Sequence, residues 1–394
     1  MARPVVESTG ARVARERKAR GLTQRALSRL ARVSYATLAQ IEQDRLPASS
    51  TALAALARAL SVPVTTLTGQ PYLEELRADH LDILIQPIRE ALDAYDTGPD
   101  LDAAPRPLRE LAEDAERLCV LVRAAELRQV ATDLPGLLAE LAGTAHSTPS
   151  ESAWQTLGAT YRTAYDVASK LGFTDLATVA LDRLDGAAQR ASDASLAGVR
   201  QYFRALAYAR AGDYARGRRI VALGFEAAAG ASDGRVGDVV SGQLNLAAAV
   251  LAAREGDAGA TEHHLAEAER LAGRTGPAER VHWLSFGPTN VRVHRVSVLV
   301  DLARYPDAVR AGRDVVFPEG WPATRRARHH TDVAYALLRA GHPDAAFASL
   351  VEARKAAPQQ TRYYPRVRET YGGIESAGRR APDSFHGFGD WLGR

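Results

Sequence analysis

Hydrogen-bonding and methyl-bearing side chains are concentrated in a short stretch near the start of the 394-residue chain. The amide of Gln40 carries a donor and an acceptor, which can pair with both groups on the edge of an adenine. Tyr35 can contact a base or a phosphate, and the methyl group of Ala36 or Thr37 can touch that of a thymine. The alternative is that Tyr35 and Gln40 are only solvated. The residues expected to face bases are Ser34, Tyr35, Ala36, Thr37, Gln40 and Gln43.

Residues suited to binding phosphate surround this stretch. Gln24, Arg25 and Arg45 are placed to contact phosphates, which fix the position of a protein on DNA without reading its sequence. Residues 1–70 hold eleven Lys and Arg against four Asp and Glu, whereas the remaining 324 residues have a net charge of −4. The basic end of the chain is therefore expected to face a polyanion.

Two short helices joined by a tight turn are predicted to present these side chains. Thr23 and Ser34 are each suited to cap a helix start, because their hydroxyl groups can accept a hydrogen bond from a backbone N–H. Apolar residues recur three or four positions apart in both helices, which places them on one inward face. These inward residues are Leu27, Ala31, Leu38 and Ile41.

Three further helices complete a small domain. Residues 11–20 form a basic amphipathic pattern before the two short helices, and residues 49–60 form an apolar pattern after them. Residues 63–67 begin with proline, which is favourable at a helix start, and they predict a short closing helix. Five helices are thus predicted within residues 11–70.

This arrangement resembles the XRE family of helix-turn-helix regulators. The family's usual residues before the first helix appear here as Leu22-Thr23-Gln24, and those at the end of the second helix as Ile41-Glu42. The resemblance implies a repressor/Cro-type fold in which the second helix lies in the major groove of DNA. Arg32 departs from the family, which usually has glycine in the turn. A non-glycine residue in the left-handed conformation costs on the order of 1 kcal/mol.

The rest of the chain is predicted to be helical. Residues 71–96 should form a connecting helix that is interrupted or kinked near Pro87, because proline lacks a backbone N–H. The Gly- and Pro-containing stretch from Thr97 to Pro107 predicts a loop or linker, so that residues 71–105 connect two domains. In residues 106–394 the apolar residues recur at three and four positions, which predicts helices and an all-α fold.

One turn pattern occurs four times in this larger domain, at spacings of 44, 48 and 37 residues. Each occurrence predicts the corner of a helix hairpin in a repeat with insertions. The pattern resembles the tetratricopeptide repeat and implies a curved α-solenoid. An irregular helical bundle is the alternative. The turns lie at Gly212, Gly256, Arg304 and Gly341, and a small residue stands seven positions before each, at Ala205, Ala249, Ser297 and Ala334. The residues that match the repeat's usual spacing are Trp154, Leu157, Gly158 and Tyr161.

The larger domain also resembles the helical sensor region of actinobacterial XRE regulators, through residues 286–291, His294 and residues 325–329. The chain has only two asparagines, and an amide can grip a peptide backbone or a polar small molecule. Aligning the turns places both on one helical face, although Asn290 could instead be a helix cap. The nearby Arg325, Arg326 and Arg328 could hold an anionic ligand or form a solvated or salt-bridged helix face. The candidate ligand-binding residues are Asn245, Asn290, His294, Arg326 and Arg328.

The composition argues against several other classes of protein. Cys119 is the only cysteine, which excludes an intramolecular disulfide and a cysteine-based zinc finger. The histidine pairs at 263–264 and 329–330 point about 100° apart on a helix and predict no metal site. We find no phosphate loop or nucleophile motif, and we expect neither an enzyme nor a cofactor. A signal peptide and a membrane span are also not evident, which predicts a cytoplasmic, nucleoid-associated protein.

These observations predict a transcription regulator that binds double-stranded DNA as a homodimer, because one small domain covers about half a site. Residues 106–394 would fold alone as a dimer and sense a peptide or a small molecule. The alternative is an antitoxin-like or scaffold protein, whose solenoid binds a protein partner and whose DNA binding serves autoregulation.

Overall fold

A computed structural model describes residues 7–96, 106–377 and 383–393 of the chain. Within these ranges the protein is built from α-helices and two short 3-10 helices, and the only β-type pairing is an isolated bridge between Ala278 and Phe286. The predicted all-α class is therefore confirmed.

The first five helices agree with the five that the sequence predicts. Serine or threonine hydroxyl groups cap four of them by accepting a backbone N–H, at Ser8, Thr23, Ser34 and Ser49. The predicted inward residues form part of one core, in which Leu27 and Leu38 are fully buried. The helices are α1 (Thr9–Ala19), α2 (Gln24–Ala31), α3 (Tyr35–Glu42), α4 (Ser50–Leu60) and α5 (Val64–Thr68).

The turn between α2 and α3 is made without glycine. Arg32 has φ of 54° and ψ of 36°, which is the left-handed conformation expected at this position. Its backbone N–H still bonds to the carbonyls that end α2, so the turn keeps its geometry at the cost of some strain.

Residues 71–96 do not form a single connecting helix. They form α6 (Leu73–Ala78), a 3-10 turn (Asp82–Leu84) and α7 (Ile85–Asp93). The break therefore precedes Pro87, which lies in the first turn of α7 where a missing N–H removes no helical hydrogen bond. The apolar residues of the segment join the core of the larger domain. These residues are Tyr72, Leu76, Leu81, Ile85, Ile88 and Leu92. Most of the predicted linker, residues 97–105, lies outside the described residues.

Six helix hairpins follow, and we call residues 108–356 the solenoid. The predicted turns are found in four of them: Gly212, Gly256 and Gly341 have positive φ of 73°, 83° and 85°, and Ala303 has φ of 58° beside Arg304. The hairpins are α8 (Leu108–Ala124) with α9 (Leu127–Ser147), α10 (Glu151–Leu171) with α11 (Thr174–Arg190), α12 (Ala194–Ala211) with α13 (Tyr214–Ala229), α14 (Gly234–Glu255) with α15 (Ala258–Thr275), α16 (Pro288–Asp301) with α17 (Tyr305–Arg313), and α18 (Ala323–Arg339) with α19 (Pro343–Ala356).

The first helices of successive hairpins pack side by side along most of the row. α12 packs on α14, α14 on α16 and α16 on α18, and α18 also packs on α8. The solenoid therefore curves until its last hairpin meets its first. Ala205, Ala249 and Ala334, three of the predicted small positions, are fully buried where the helices approach closely.

Helix α14 is apolar enough by length and composition to cross a membrane. However, 83% of its most apolar window is buried inside the protein, as is usual for the core helix of a globular domain. It packs against α12, α13, α15 and α16. Burial on several sides explains why its apolar residues do not follow a single stripe.

Three more helices follow the solenoid. They are α20 (Pro358–Arg362), α21 (Pro365–Ser376) and α22 (Asp383–Leu392). Helix α21, with the residue Tyr363 before it, contacts the N-terminal five-helix domain. Arg366 of α21 donates to Ser50 Oγ at 2.7 Å, and Gln70 donates to the Tyr363 carbonyl at 3.2 Å. On the other side of α4, Arg58 donates to the carbonyl of Gly212 at 2.6 Å. The small domain is therefore docked on the solenoid.

We expect the fragment 106–394 to be less stable than the fragment 71–394, because the shorter one lacks the apolar residues of α6 and α7. A fully buried leucine or isoleucine contributes about 1.5–3 kcal/mol, which ordering of the segment only partly offsets. Urea unfolding followed by circular dichroism should give a lower midpoint for the shorter fragment. Coincident unfolding curves would show that residues 71–96 are not part of this core.

Candidate DNA-binding interface

Helix α3 presents a polar face to solvent. Leu38 and Ile41 anchor the helix in the core, and Tyr35, in the first turn, is 49% exposed. The exposed face extends over about two turns, as a helix inserted in a major groove requires. The predicted base-contacting residues that are exposed on it are Ser34, Tyr35, Ala36, Gln40 and Gln43.

The start of α3 has a defined geometry. Ser34 Oγ accepts the backbone N–H of Thr37 at 3.0 Å and lies 2.7 Å from Thr37 Oγ1. Thr37 is half-buried, and its hydroxyl group is therefore engaged in the cap. Its methyl group remains the part suited to contact a thymine, as the sequence predicts.

Unpaired cations surround this face. Arg25 lies near Tyr35, with its guanidinium carbon 5.9 Å from the centre of the ring, and Arg45 is exposed just after α3. In the described part of the chain none of the surrounding cations forms an ion pair, so their charge is free to attract phosphates. Other exposed cations of the domain without an ion pair in the described residues include Lys18, Arg29 and Arg32.

A buried ion pair fixes α3 to α1. Glu42 receives hydrogen bonds from Arg17 at 2.7 and 2.8 Å and from Gln24 Nε2 at 2.8 Å. Burial would raise the pKa of Glu42, but the bonds from Arg17 and Gln24 outweigh it, so this pKa is lowered. The amide donor of Gln24, a predicted phosphate contact, is thus engaged inside the domain. The sequence did not predict the pairing of Arg17 with Glu42. An acidic residue at the end of an apolar helix is nevertheless a signal that a cationic partner lies nearby.

Comparison with known proteins agrees with this geometry. Residues 13–67 match the family model of the helix-turn-helix. No curated protein and no solved structure matches the chain. The matched residues run from within α1 into α5 and include both helices of the motif, so we refer to residues 7–70 as the helix-turn-helix domain.

A second group of predicted site residues lies between the first helices of the solenoid. Asn290 is fully buried, donates to Gln243 Oε1 at 3.2 Å and accepts from Arg325 at 3.1 Å. His294 Nδ1 donates to the carbonyl of Asn290 at 2.9 Å. Burial, together with Arg325 and Arg328, lowers the pKa of His294 to about 4, so its ring is neutral at pH 7. The structure thus brings Asn290 and His294 together.

Asn245 does not join this group, and the predicted common face of the two asparagines is wrong. Asn245 Nδ2 donates to the carbonyl of Ser241 at 3.0 Å, and its Oδ1 lies 3.0 Å from His264 Nδ1 on α15. Asn290 instead reaches Gln243, which stands two residues and therefore about 200° away from Asn245 around α14. The turn alignment failed by one residue, because the left-handed residue of the third turn is Ala303 rather than Arg304.

The two candidate arginines of α18 also differ in environment. Arg326 is exposed, whereas Arg328 donates to Asp332 at 3.2 Å and stacks on the ring of Tyr364. Arg325, which is not among the five candidate ligand-binding residues, is the one that contacts Asn290. In the described ranges no group of three His, Cys, Asp or Glu residues could hold a metal ion.

A buried ion network connects this region to the helix-turn-helix domain. Arg366 bonds to Asp332 and lies 3.3 Å from Asp301 Oδ1. Arg254 donates to the other oxygen of Asp301 at 2.9 Å. Burial would lower the pKa of Arg366, but Tyr364 and the two carboxylates raise it well above its ordinary value. The network comprises Arg254, Asp301, Arg328, Asp332 and Arg366, and Arg366 also bonds to Ser50 on α4.

We expect Glu42→Ala to lower the free energy of unfolding of the helix-turn-helix domain by about 3–5 kcal/mol, because it leaves Arg17 charged, buried and unpaired. Since Glu42 has a lowered pKa in the folded protein, its contribution is present above pH 4.5 and is lost as pH falls through the lowered value. Chemical denaturation at pH 7 and pH 3 measures both effects. Glu16→Ala, which breaks surface pairs with Arg15 and Arg20, is the control and should cost less than about 1 kcal/mol. Equal losses for the two variants would contradict the structural role of Glu42.

We expect Tyr35→Ala and Gln40→Ala to weaken binding to a selected duplex by about 1–3 kcal/mol for each lost base contact, with little change on a scrambled duplex. Fluorescence anisotropy titrations on both duplexes measure this difference. Gln129→Ala, on an exposed face of α9, serves as the control. An equal loss of affinity on both duplexes would show that these residues contact phosphates rather than bases.

Proposed function

We propose that the chain is a sequence-specific DNA-binding transcription regulator. The observation that carries this proposal is the exposed polar face of α3, which sits on a packed helix-turn-helix core and is surrounded by unpaired cations. The face stays exposed in the docked domain, whose contacts with the rest of the protein come from α4, the segments beside it and Asp44 just after α3. No catalytic reaction and no cofactor are part of the proposal.

Each part of the face has a separate task in this proposal. The first turn of α3 and Gln40 would meet base edges in the major groove, which is where base pairs can be distinguished. Arg25 and Arg45 would bind phosphates on either side and fix the position of the helix. Binding to DNA implies that the protein works in the cytoplasm, at the nucleoid.

The protein is proposed to act as a homodimer. A single helix-turn-helix domain contacts one half-site, and paired half-sites lie about 34 Å apart on one face of DNA. Sedimentation velocity of the full chain would measure the oligomeric state. The spacing of half-sites in selected DNA would report the distance between two copies of α3.

The solenoid is proposed to sense a peptide or a small molecule, as in tetratricopeptide-like sensor domains. The cluster of Asn290, His294 and Arg325 supports this, because the adjacent Gln243 has a buried Nε2 donor without a hydrogen-bond partner in the described residues. The ion network supports transmission of a signal, since it joins α14, α16 and α18 to α4 through Arg366. A change in the packing of these helices would therefore reach the DNA-binding domain.

Selection of duplexes from a random library by the full chain tests the proposed function directly. A specific regulator should enrich a short motif in paired half-sites. If no motif is enriched and the protein binds all duplexes, the domain binds DNA without sequence specificity.

We expect Arg25→Ala and Arg45→Ala to weaken binding to every duplex by a similar factor. If each arginine neutralises one phosphate, the slope of log K against log salt should fall by about 0.9 in each variant. Binding titrations at several salt concentrations measure the slope, with Arg326→Ala on the solenoid as the control. An unchanged slope in both variants would place the phosphate contacts elsewhere.

A further inference from the structure

An apolar cleft lies on the outer side of the solenoid, between the second helices of two adjacent hairpins. Its walls come from α13 and α15, and α14 forms its floor. The cleft has a volume of about 540 Å³, which is within the range of small-molecule sites in proteins. It is separate from the cluster around Asn290, which contacts the opposite side of α14.

Small residues on three neighbouring helices leave the space that forms the cleft. Ala248 and Ala252 form its floor, and Ala222 and Ala260 extend it onto the walls. Val221 and Phe225 of α13 supply larger apolar surface. At the rim, Arg218 forms an ion pair with Glu255. The third charged residue of the lining, Asp257, accepts the backbone N–H of Ala260 at 2.9 Å, and the interior is suited to an apolar molecule.

The lining includes one imidazole, that of His264, and its tautomer is fixed by Asn245. Asn245 must donate through Nδ2 to the carbonyl of Ser241, because a carbonyl can only accept, and this turns Oδ1 towards His264. Since Oδ1 is an acceptor, His264 Nδ1 carries the proton. Burial and the neighbouring His263 lower the pKa of His264, so the ring is neutral at pH 7. His264 Nε2 is then an acceptor, and it has no hydrogen-bond partner among the described residues.

We propose that this cleft binds an apolar small molecule that carries one hydrogen-bond donor, such as a hydroxyl group, and that the donor bonds to His264 Nε2. The apolar body of the molecule lies on Ala248 and Ala252, and Asn245 is a positioning residue that sets the tautomer of His264. A peptide fits this site less well, because its backbone carries many polar groups that the apolar walls would leave unsatisfied.

The position of the cleft fits the sensing role on which this proposal builds. Ala252 and Glu255 line the cleft, and Arg254, in the same turn of α14, belongs to the ion network. Arg254 also donates to the carbonyl of Ala209 at 2.9 Å, at the end of α12. A ligand that moves the last turn of α14 would thus act on the network that reaches Ser50.

The experiment uses the full chain and two matched fluorescent probes. 2-Naphthol carries a hydroxyl donor, whereas 2-methoxynaphthalene has the same ring system without a donor. Because the donor adds a hydrogen bond in an apolar site, wild-type protein should bind 2-naphthol about fivefold more tightly or better. His264→Phe should bind both probes equally, and His263→Phe, which changes a ring outside the cleft, should behave as wild type. Ala252→Phe fills the cleft and should bind neither probe.

Several outcomes would overturn the proposal. These are no binding of either probe to wild-type protein, a preference for 2-naphthol that survives His264→Phe, and unchanged binding in a folded Ala252→Phe variant. Conversion of a dimer to a monomer by Ala252→Phe would show that the cleft is an interface between two copies. If Ala252→Phe does not fold, the comparison of the two probes on His264→Phe still tests the proposal. Probe binding is measured without DNA, so loss of the proposed DNA-binding function and loss of the cleft site give separate results.

Discussion

The buried charge of Arg366 constrains much of this structure. Its guanidinium group is held by Asp332 and Asp301, which are in turn bonded to Arg328 and Arg254, so that four solenoid and C-terminal helices share one network. Removing one member of such a network costs about 3–5 kcal/mol, because it leaves a charge buried without a partner. The helices that carry these residues must therefore keep their relative positions for every member to stay paired.

The helix-turn-helix domain is tied to this constraint on one side and free on the other. Arg366 bonds to Ser50 at the start of α4, and Arg58 near the end of α4 bonds to the α12–α13 turn. The face of α3 is exposed, and the nearest contact with the C-terminal helices is the bond from Ser376 to the carbonyl of Asp44, just after α3. The contacts with the rest of the protein and the exposed face of α3 thus involve different residues of one small domain.

The parts of the fold that depend on local sequence could be predicted, and those that depend on distant pairs could not. The caps at Thr23 and Ser34 and the glycine turns are local signals, and the helices were found where these signals place them. Glu42 pairs with a residue 25 positions away, and Arg366 with Asp332 34 positions away. The phase of a helix also changes by about 100° with each residue. A small error in aligning the repeats was therefore enough to misplace Asn245 relative to Asn290.

Hydrogen exchange of the full chain most directly tests whether the ion network joins the solenoid to the helix-turn-helix domain. Arg366→Met removes the central charge and keeps a long apolar side chain, and Arg326→Met on exposed α18 surface is the matched control. The structure predicts that backbone amides of α4, α16 and α18 lose protection together in Arg366→Met and keep it in Arg326→Met. Unchanged protection of α4 in Arg366→Met, with loss confined to α16 and α18, would contradict this connection.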